Sequence, residues 1–205
     1  FANLQIIMKR IVIFASGEGT NAQRLIDYFR DSCIVINMIA CNNPRAGVIN
    51  RAALTHTFLL LFNRNRFYYS DVILQKILSA KTDIIVLAGF MWKVPENILS
   101  AFPDKIINIH PALLPKYGGK GMYGMNVHNA VIAAKEKESG ITIHYVNEQY
   151  DKGKIIFQKK CDVFPSDTPE SLATKVHALE YEYYPKIIEQ LLIPNQPFCH
   201  RAKRK

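Results

Sequence analysis

Two polar residues at the end of an apolar run could carry chemistry: Asn108 and His110, in the segment NIHPALLPKYGG. Alternate side chains of a strand point to the same face, so these two would project together from the strand's last residues. Asparagine can donate an N–H to a carbonyl oxygen, and histidine can move a proton or stabilise a developing oxyanion. Pro111 and Pro115 restrain the exit from the strand. The pattern favours a catalytic pair over the alternative, a structural histidine.

No enzyme nucleophile accompanies this pair. No serine or cysteine adjoins it, the GxSxG elbow is absent, and no cysteine stands in a context that would activate it. The substrate is therefore expected to bring its own nucleophile. Asp151, in EQYDKGKII, would favour the protonated form of His110 from a position beside it, and could accept a proton through water. Spacing leaves open the alternative of a turn residue that needs no function.

A glycine-containing segment, ASGEGTNAQ, follows the first apolar run. Its Gly17, Gly19 and Ala22 fit a dinucleotide-binding pattern, but that pattern also needs an acidic residue after the second strand, where the sequence is ACNN. The remaining interpretation is a phosphate site, in which backbone N–H groups, Thr20 and Asn21 lie at a helix N-terminus. The alternative is that Thr20 or Asn21 only caps the helix.

The elements that must position these residues alternate between apolar runs and segments of helical periodicity. The predicted strands are KRIVIFA, IVINMIAC, HTFLLLF, DIIVLAG and KIINI, and the predicted helices are NAQRLIDYFRDS, GVINRAAL, YYSDVILQKILSA and PENILSAF. This order predicts an α/β fold with a Rossmann-like, mostly parallel sheet and helices on both faces. In such a sheet, ligands bind at the carboxyl ends of the strands.

The C-terminal half of the chain has a different pattern. A helix is predicted near residues 127–137, followed by GITIHYVN and KIIFQKK, which are adjacent in sequence and are expected to pair as antiparallel strands. A final helix over residues 169–192 opens with SDTPES, where Pro169 suits the first turn. We expect one domain over residues 8–192, a possible extension or tag remnant over residues 1–7, and a basic tail over residues 193–205.

Composition narrows the class of protein. Of the formal net charge of +9, four charges lie in residues 201–205, which leaves +5 for the rest of the 205-residue chain. That excess suits an anionic small molecule at least as well as nucleic acid. Apolar runs are too short for a membrane span, and a cytoplasmic location is expected. The four cysteines form no CxxC pair or Cys/His cluster, so we expect reduced thiols and no metal site.

In their order along the chain, SGEGTN, VLAGFM, NIHPALLPKY, GITIHYV and the Asp-x-Gly turn resemble the glycinamide ribonucleotide formyltransferases, over roughly residues 9–192. The resemblance implies the formyltransferase fold and a reaction of de novo purine biosynthesis. In that reaction the formyl group of 10-formyltetrahydrofolate, a co-substrate, passes to the primary amine of 5-phosphoribosylglycinamide. The amine would be the missing nucleophile and would attack directly.

The resemblance also implies roles for individual residues. Asn108 matches the amide that hydrogen-bonds the formyl oxygen, His110 the histidine that acts on the tetrahedral intermediate, and Asp151 the aspartate that keeps that histidine charged. The residues implied to bind the ribonucleotide are Gly19, Thr20, Asn21, His177 and Glu180. The residues implied to bind folate are Arg66, Met91, Trp92, Lys93, Val94, Asn108, Asn147, Glu148, Gln149, Tyr150 and Asp151, with Arg66 reaching the glutamate tail.

Two regions depart from the family pattern. Trp92 stands where the family usually carries arginine, so Lys93 or Arg66 would have to supply the positive charge. Residues 118–126, GGKGMYGMN, are longer than the usual linker and predict either a mobile lid or a plain surface loop. His128 and His144 also fit family positions, with supporting or structural roles expected.

Other functions remain as alternatives. One is a different formyltetrahydrofolate-using enzyme of the same fold, such as an amino-sugar formyltransferase or a deformylase. Another is a non-catalytic nucleotide-binding module, and a third is nucleic-acid binding through the segment HRAKRK. The leading interpretation predicts small-molecule substrates, no nucleic-acid or membrane partner, and a monomer or homodimer.

Overall fold

The computed structural model describes residues 8–194. The expected extension over residues 1–7 and all but the first two residues of the expected basic tail, with Cys199, lie outside the described residues. Within residues 8–194, no helix is both long enough and apolar enough to cross a bilayer.

Strands and helices alternate along the described chain. The strands are β1 Lys9–Ala15, β2 Ile34–Cys41, β3 Leu59–Leu61, β4 Ile84–Leu87, β5 Ile106–His110, β6 Glu138–Tyr145 and β7 Ile155–Asp162. The helices are α1 Thr20–Phe29, α2 Val48–Leu54, α3 Arg64–Tyr68, α4 Val72–Ser79, α5 Glu96–Ala101, α6 Met125–Ala133 and α7 Pro169–Leu192.

The strands of the described region form one sheet in the order β3-β2-β1-β4-β5-β6-β7. The pairs from β3 to β5 are parallel, whereas β6 is antiparallel to both β5 and β7. This confirms the predicted mostly parallel sheet with an antiparallel C-terminal pair. The order reverses between β1 and β4, and in open α/β sheets the crevice at such a switch point is where ligands bind.

The sheet is covered on both faces because its side chains alternate. In β1, Ile11, Ile13 and Ala15 pack into a buried cluster with residues of α1, α2, α6 and α7. Val12 and Phe14 point to the opposite face, where they pack with residues of α3, α4 and α5. Both clusters are almost fully buried, as expected of a parallel sheet covered by helices.

Helix α7 packs on one face of the sheet and is hydrogen-bonded to the sheet's carboxyl edge. It begins with a capping box, in which Thr168 accepts from the Ser171 N–H and Ser171 accepts from the Thr168 N–H, and Pro169 occupies the first turn. Tyr184 is fully buried, and its hydroxyl donates to the carbonyl oxygen of Leu87, the last residue of β4, at 2.9 Å. The helix is therefore fixed in rotation against the carboxyl end of β4.

Several predicted element boundaries were wrong. Helix α1 ends at Phe29 rather than Ser32, and α6 ends at Ala133 rather than near residue 137. The strand predicted from HTFLLLF contains only Leu59–Leu61. The helix predicted from YYSDVILQKILSA is divided, since Tyr68 ends the short α3 and α4 begins at Val72. The side chain of Asn63 accepts a hydrogen bond from the Arg66 N–H and so starts a separate helix that apolar periodicity does not reveal.

Candidate active site

The polar pair identified in the sequence lies at the end of β5, and Asn108 is held by a histidine of the neighbouring strand. Asn108 lies opposite His144, with its Nδ2 at 3.1 Å from His144 Nε2. The Nδ1 of His144 is 2.8 Å from the carbonyl oxygen of Tyr145. A carbonyl can only accept, so Nδ1 carries the proton and Nε2 accepts from Asn108. The amide of Asn108 is thereby oriented and retains a second N–H that this bond does not need.

His110 is 3% exposed and faces an acceptor at each ring nitrogen. Its Nε2 donates to the carbonyl oxygen of Tyr117 at 2.7 Å, and its Nδ1 is 3.6 Å from Asp151 Oδ2. Burial lowers the pKa of His110, and this effect outweighs the upward effects of Asp151 and the Tyr117 carbonyl. The imidazole is therefore mainly neutral at pH 7, with Nδ1 as its basic atom. Asp151 raises the pKa of His110, as expected, but burial lowers that pKa by more.

Asp151 reaches the site from the turn between β6 and β7, which answers the question that spacing left open. Its Oδ2 accepts a 2.8 Å hydrogen bond from the Gly119 N–H, and its Oδ1 is 3.6 Å from His144 Nε2. Burial acts to raise the pKa of Asp151, but its contacts with His144, His110 and Gly119 lower it overall. The backbone φ of Asp151 is 54°, in the left-handed region. The turn thus holds an anionic carboxylate between two imidazoles.

The segment after β1 leads into a helix N-terminus that has no side-chain cap. Helix α1 begins at Thr20, and the preceding Gly19 is the N-cap residue, with a φ of 72° and no side-chain cap. The alternative, in which Thr20 or Asn21 caps the helix, is therefore wrong. A Cβ at position 19 would collide with the side chain of Val48, so both conformation and packing require glycine. No side-chain cap therefore occupies the first-turn N–H groups, as an anion site at a helix N-terminus requires.

A buried carboxylate joins this segment to α7. Glu180 is 4% exposed, and its Oε2 accepts from Asn21 Nδ2 at 2.8 Å and from His177 Nδ1 at 2.9 Å. The hydrogen bond from His177 to Glu180 raises the pKa of His177, and burial opposes it. The structure therefore brings the predicted ribonucleotide residues Asn21, His177 and Glu180 into one polar cluster.

Most of the predicted folate residues surround one narrow cavity of about 60 Å³ beside Asn108 and His144. Those that line it are Trp92, Lys93, Val94, Asn108, Asn147, Gln149, Tyr150 and Asp151. Three others do not: Met91 is 50% exposed and donates its N–H to Ser16 Oγ, Glu148 lines a neighbouring cavity, and Arg66 is exposed on α3. Asn108 and Asp151 of the predicted catalytic group thus lie in the wall of this cavity.

The sequence analysis did not identify Arg64, a side chain next to the folate-side cavity residue Trp92. The guanidinium of Arg64 lies over the rings of Tyr68 and Trp92, at 5.3 Å and 5.8 Å from their centroids. Trp92 in turn contacts Phe62 and Phe67 of the aromatic cluster beneath it. Arg64 and Tyr68 are four residues apart, a spacing that places them on one face of a helix and could have indicated the contact.

The arrangement suits acid-base and hydrogen-bonding chemistry on two bound molecules. Burial raises the pKa of the Cys41 and Cys161 thiols, which makes both poor nucleophiles. Among residues 8–194, no group of three or more histidine, cysteine or acidic residues is placed to hold a metal ion. Asn108 and Asp151 line the folate-side cavity, and His110 lies within electrostatic reach of Glu180, which is bonded to Asn21 at the start of α1.

Comparison with known proteins identifies relatives over most of the chain. The family model described as "Formyl transferase" matches residues 9–188. Phosphoribosylglycinamide formyltransferase of Bacillus subtilis (strain 168) is 34% identical over 191 residues, which are 90% of this chain and 95% of that protein. The chloroplastic enzyme of the same name from Arabidopsis thaliana is also 34% identical, over 88% of this chain, and this chain spans 64% of its length. The crystal structure of the Bacillus halodurans enzyme has a TM-score of 0.82 at 33% identity and covers 92% of this chain and 97% of its own.

Proposed function

Because the chain belongs to the formyl transferase family, we propose that it transfers a formyl group from 10-formyltetrahydrofolate to the primary amine of 5-phosphoribosylglycinamide, a step of purine biosynthesis. One observation carries this proposal. Asn108, His110 and Asp151 meet between a helix N-terminus suited to phosphate and a cavity lined by aromatic and amide side chains. The site holds no activated serine or cysteine among its described residues, and the amine supplies the nucleophile.

Asn108 and His110 act at the reacting carbonyl. The folate supplies an activated formyl group. The second N–H of Asn108 donates to the formyl oxygen, since His144 already accepts from the same amide. Developing negative charge on that oxygen raises the proton affinity of the nearby His110. Its Nδ1 then takes a proton from solvent beside Asp151, and the resulting imidazolium stabilises the oxyanion. When the bond between the formyl carbon and the folate nitrogen breaks, the leaving nitrogen takes that proton from the imidazolium, and the formylated amine is the product.

Asp151 has a second task, which is to receive a proton from the attacking amine through water. Its carboxylate is anionic because contacts with His144, His110 and Gly119 lower its pKa. The Gly119 N–H fixes Oδ2, and the turn conformation fixes the backbone. The phosphate of the ribonucleotide binds at Gly19, Thr20 and Asn21, and His177 and Glu180 contact the sugar.

The folate tail carries carboxylates, and a cation is needed where Trp92 replaces the usual arginine. The resemblance assigned this role to Arg66. The geometry favours Arg64, whose guanidinium lies over Trp92 at the edge of the folate-side cavity. Arg66 is exposed on the same short helix, and its backbone N–H is bonded to Asn63. Met91, Lys93 and residues 147–150 complete the folate side.

This function needs one domain, residues 8–192, and small-molecule substrates only. It needs no metal and no nucleic-acid or membrane partner, and we propose that the protein is a monomer or homodimer in the cytoplasm. The +5 charge outside residues 201–205 suits two anionic substrates.

A spectrophotometric assay tests the proposal. The purified protein is mixed with a 10-formylfolate analogue, with and without glycinamide ribonucleotide, and release of the deformylated folate is followed. We expect release only when the ribonucleotide is present. Release without it would indicate hydrolysis, with water in place of the amine, and would overturn the transferase. No release in either mixture would favour the nucleotide-binding module.

A further inference from the structure

A buried histidine near the site has an unpaired ring nitrogen that the mechanism above does not use. His128, on α6, is 1% exposed. Its Nδ1 is buried and has no hydrogen-bond partner within residues 8–194. Buried polar atoms are almost always paired, and an unpaired one at a functional site calls for an explanation. A small displacement of the surrounding side chains would let a hydrogen-bonding group from outside the chain reach and satisfy it.

The surroundings of His128 show which molecule could provide that group. Its ring meets the His177 ring edge to face, with the centroids 6.3 Å apart. His177 is bonded to Glu180, the carboxylate that also holds Asn21 of the phosphate segment. His128 also lies within electrostatic reach of His110. It therefore stands near both the sugar-binding cluster and the site of formyl transfer.

The charge state of His128 limits the kind of group it can bind. Burial lowers its pKa, the nearby His177 and His110 lower it further, and Glu180 opposes them. A neutral imidazole has one donor and one acceptor nitrogen and suits a hydroxyl or an amide. It is poorly suited to the dianionic phosphate, for which the N-terminus of α1 is available.

We propose that Nδ1 of His128 hydrogen-bonds the ribosyl-glycinamide portion of the ribonucleotide, between its phosphate and its reacting amine. The inference rests on the proposed function. With the phosphate held at α1 and the ribosyl portion held by Glu180 and His128, the amine is directed toward His110. His128 is thus a determinant of ribonucleotide specificity and orientation.

Three substitutions test which atom matters: His128→Leu, His128→Asn and His128→Gln. An asparagine amide lies near the position of Nδ1, whereas a glutamine amide lies near that of Nε2. Val131→Ala is the matched control, because Val131 is fully buried on the same helix without a polar group. Calorimetric titration with glycinamide ribonucleotide, in the absence of folate, measures binding without turnover. Competition by inorganic phosphate measures the phosphate site separately.

We expect His128→Leu and His128→Gln to weaken ribonucleotide binding about tenfold, as for loss of one buried hydrogen bond, and His128→Asn to stay within about threefold of the parent. Phosphate binding should not change, and Val131→Ala should lower the melting temperature but not the affinity. Unchanged binding by His128→Leu, or a glutamine that binds better than the asparagine, would overturn the inference. So would an equal loss of phosphate affinity, which indicates a structural role.

The same experiment separates this inference from the proposed function. Ribonucleotide binding and formyl transfer by the parent protein depend on the proposed function alone. If the parent binds and transfers, the comparison of the asparagine and glutamine variants decides the role of Nδ1. If the parent does not bind the ribonucleotide, the proposed function has failed and the inference fails with it.

Discussion

The two halves of the site are built in opposite ways. On the proposed ribonucleotide side, Glu180 and His110 are almost fully buried; Glu180 is bonded to Asn21 of α1, and His110 to the backbone of Tyr117. On the proposed folate side, Met91 and Tyr150 are 50% and 43% exposed, and the guanidinium of Arg64 lies over aromatic rings. The buried half is preorganised by hydrogen bonds that the fold maintains. The exposed half is held by stacking and can adapt, so substitutions there should change affinity without changing the chemistry.

The strongest test of this contrast removes the imidazole at the centre of the buried half. His110→Ala should lower kcat by about 10²- to 10⁴-fold, the usual contribution of a positioned proton-transfer group. Ribonucleotide binding should change little, because Glu180 and the phosphate segment remain. Steady-state kinetics and calorimetric titration of the same preparation separate the two effects. Turnover within about threefold of the parent would remove His110 from the mechanism.

A smaller effect is expected at the carboxylate that joins α7 to the phosphate segment. Glu180→Gln removes the charge that accepts from Asn21 and His177. Hydrogen bonds to charged groups contribute about 1.5–3 kcal/mol, so ribonucleotide affinity should fall roughly tenfold or more and the melting temperature should also fall. The KM for folate should stay constant. A rise in the folate KM of similar size would show that the two halves are coupled.

A still smaller effect is expected in the exposed half, where the chain offers a matched pair of arginines on α3. Arg64→Ala should raise the KM for folate by about threefold to fivefold, since exposed charge pairs contribute up to about 1 kcal/mol. Arg66→Ala should have little effect, and neither should change stability or the KM for the ribonucleotide. If Arg66→Ala has the larger effect, the assignment from family resemblance is the better one.

The smallest effect concerns pH and stability. The bond to Glu180 raises the folded-state pKa of His177 above its ordinary value of 6.5. A raised pKa adds stability that is fully present below the unfolded-state pKa and is lost as pH rises through the folded-state pKa. His177→Asn should therefore destabilise the protein more at pH 5.5 than at pH 9. Urea unfolding at both values measures this, and a difference that grows with pH would contradict it.

The sequence predicted the buried strands and the long helix well, because their signals are local. Strands β1 and β2 and helix α7 have the predicted bounds. Continuous apolar runs mark strands covered on both faces, and Pro169 with the residues around it marks the start of α7. The antiparallel pairing of β6 with β7 was predicted correctly because the two strands are adjacent in sequence.

The contacts within the site could not be predicted in the same way. The approach of Asp151 to His110 depends on β6 adding to the sheet antiparallel to β5, and the sequence does not indicate which strand β6 joins. The difference between Arg64 and Arg66 depends on a five-residue helix started by a single side-chain hydrogen bond. Both features depend on tertiary pairing or on a very short element, to which apolar periodicity is insensitive.

The left-handed backbone conformation at Asp151 lowers stability at a residue that the proposed reaction needs. A residue with a Cβ adopts this conformation at a cost on the order of 1–2 kcal/mol, which glycine avoids and asparagine reduces. Backbone strain alone would favour either replacement in this turn, whereas the bond from the Gly119 N–H and the lowered pKa favour the aspartate. Either replacement would also remove the carboxylate beside His110. A design programme that ranks variants only by backbone strain would therefore remove the proposed catalytic aspartate.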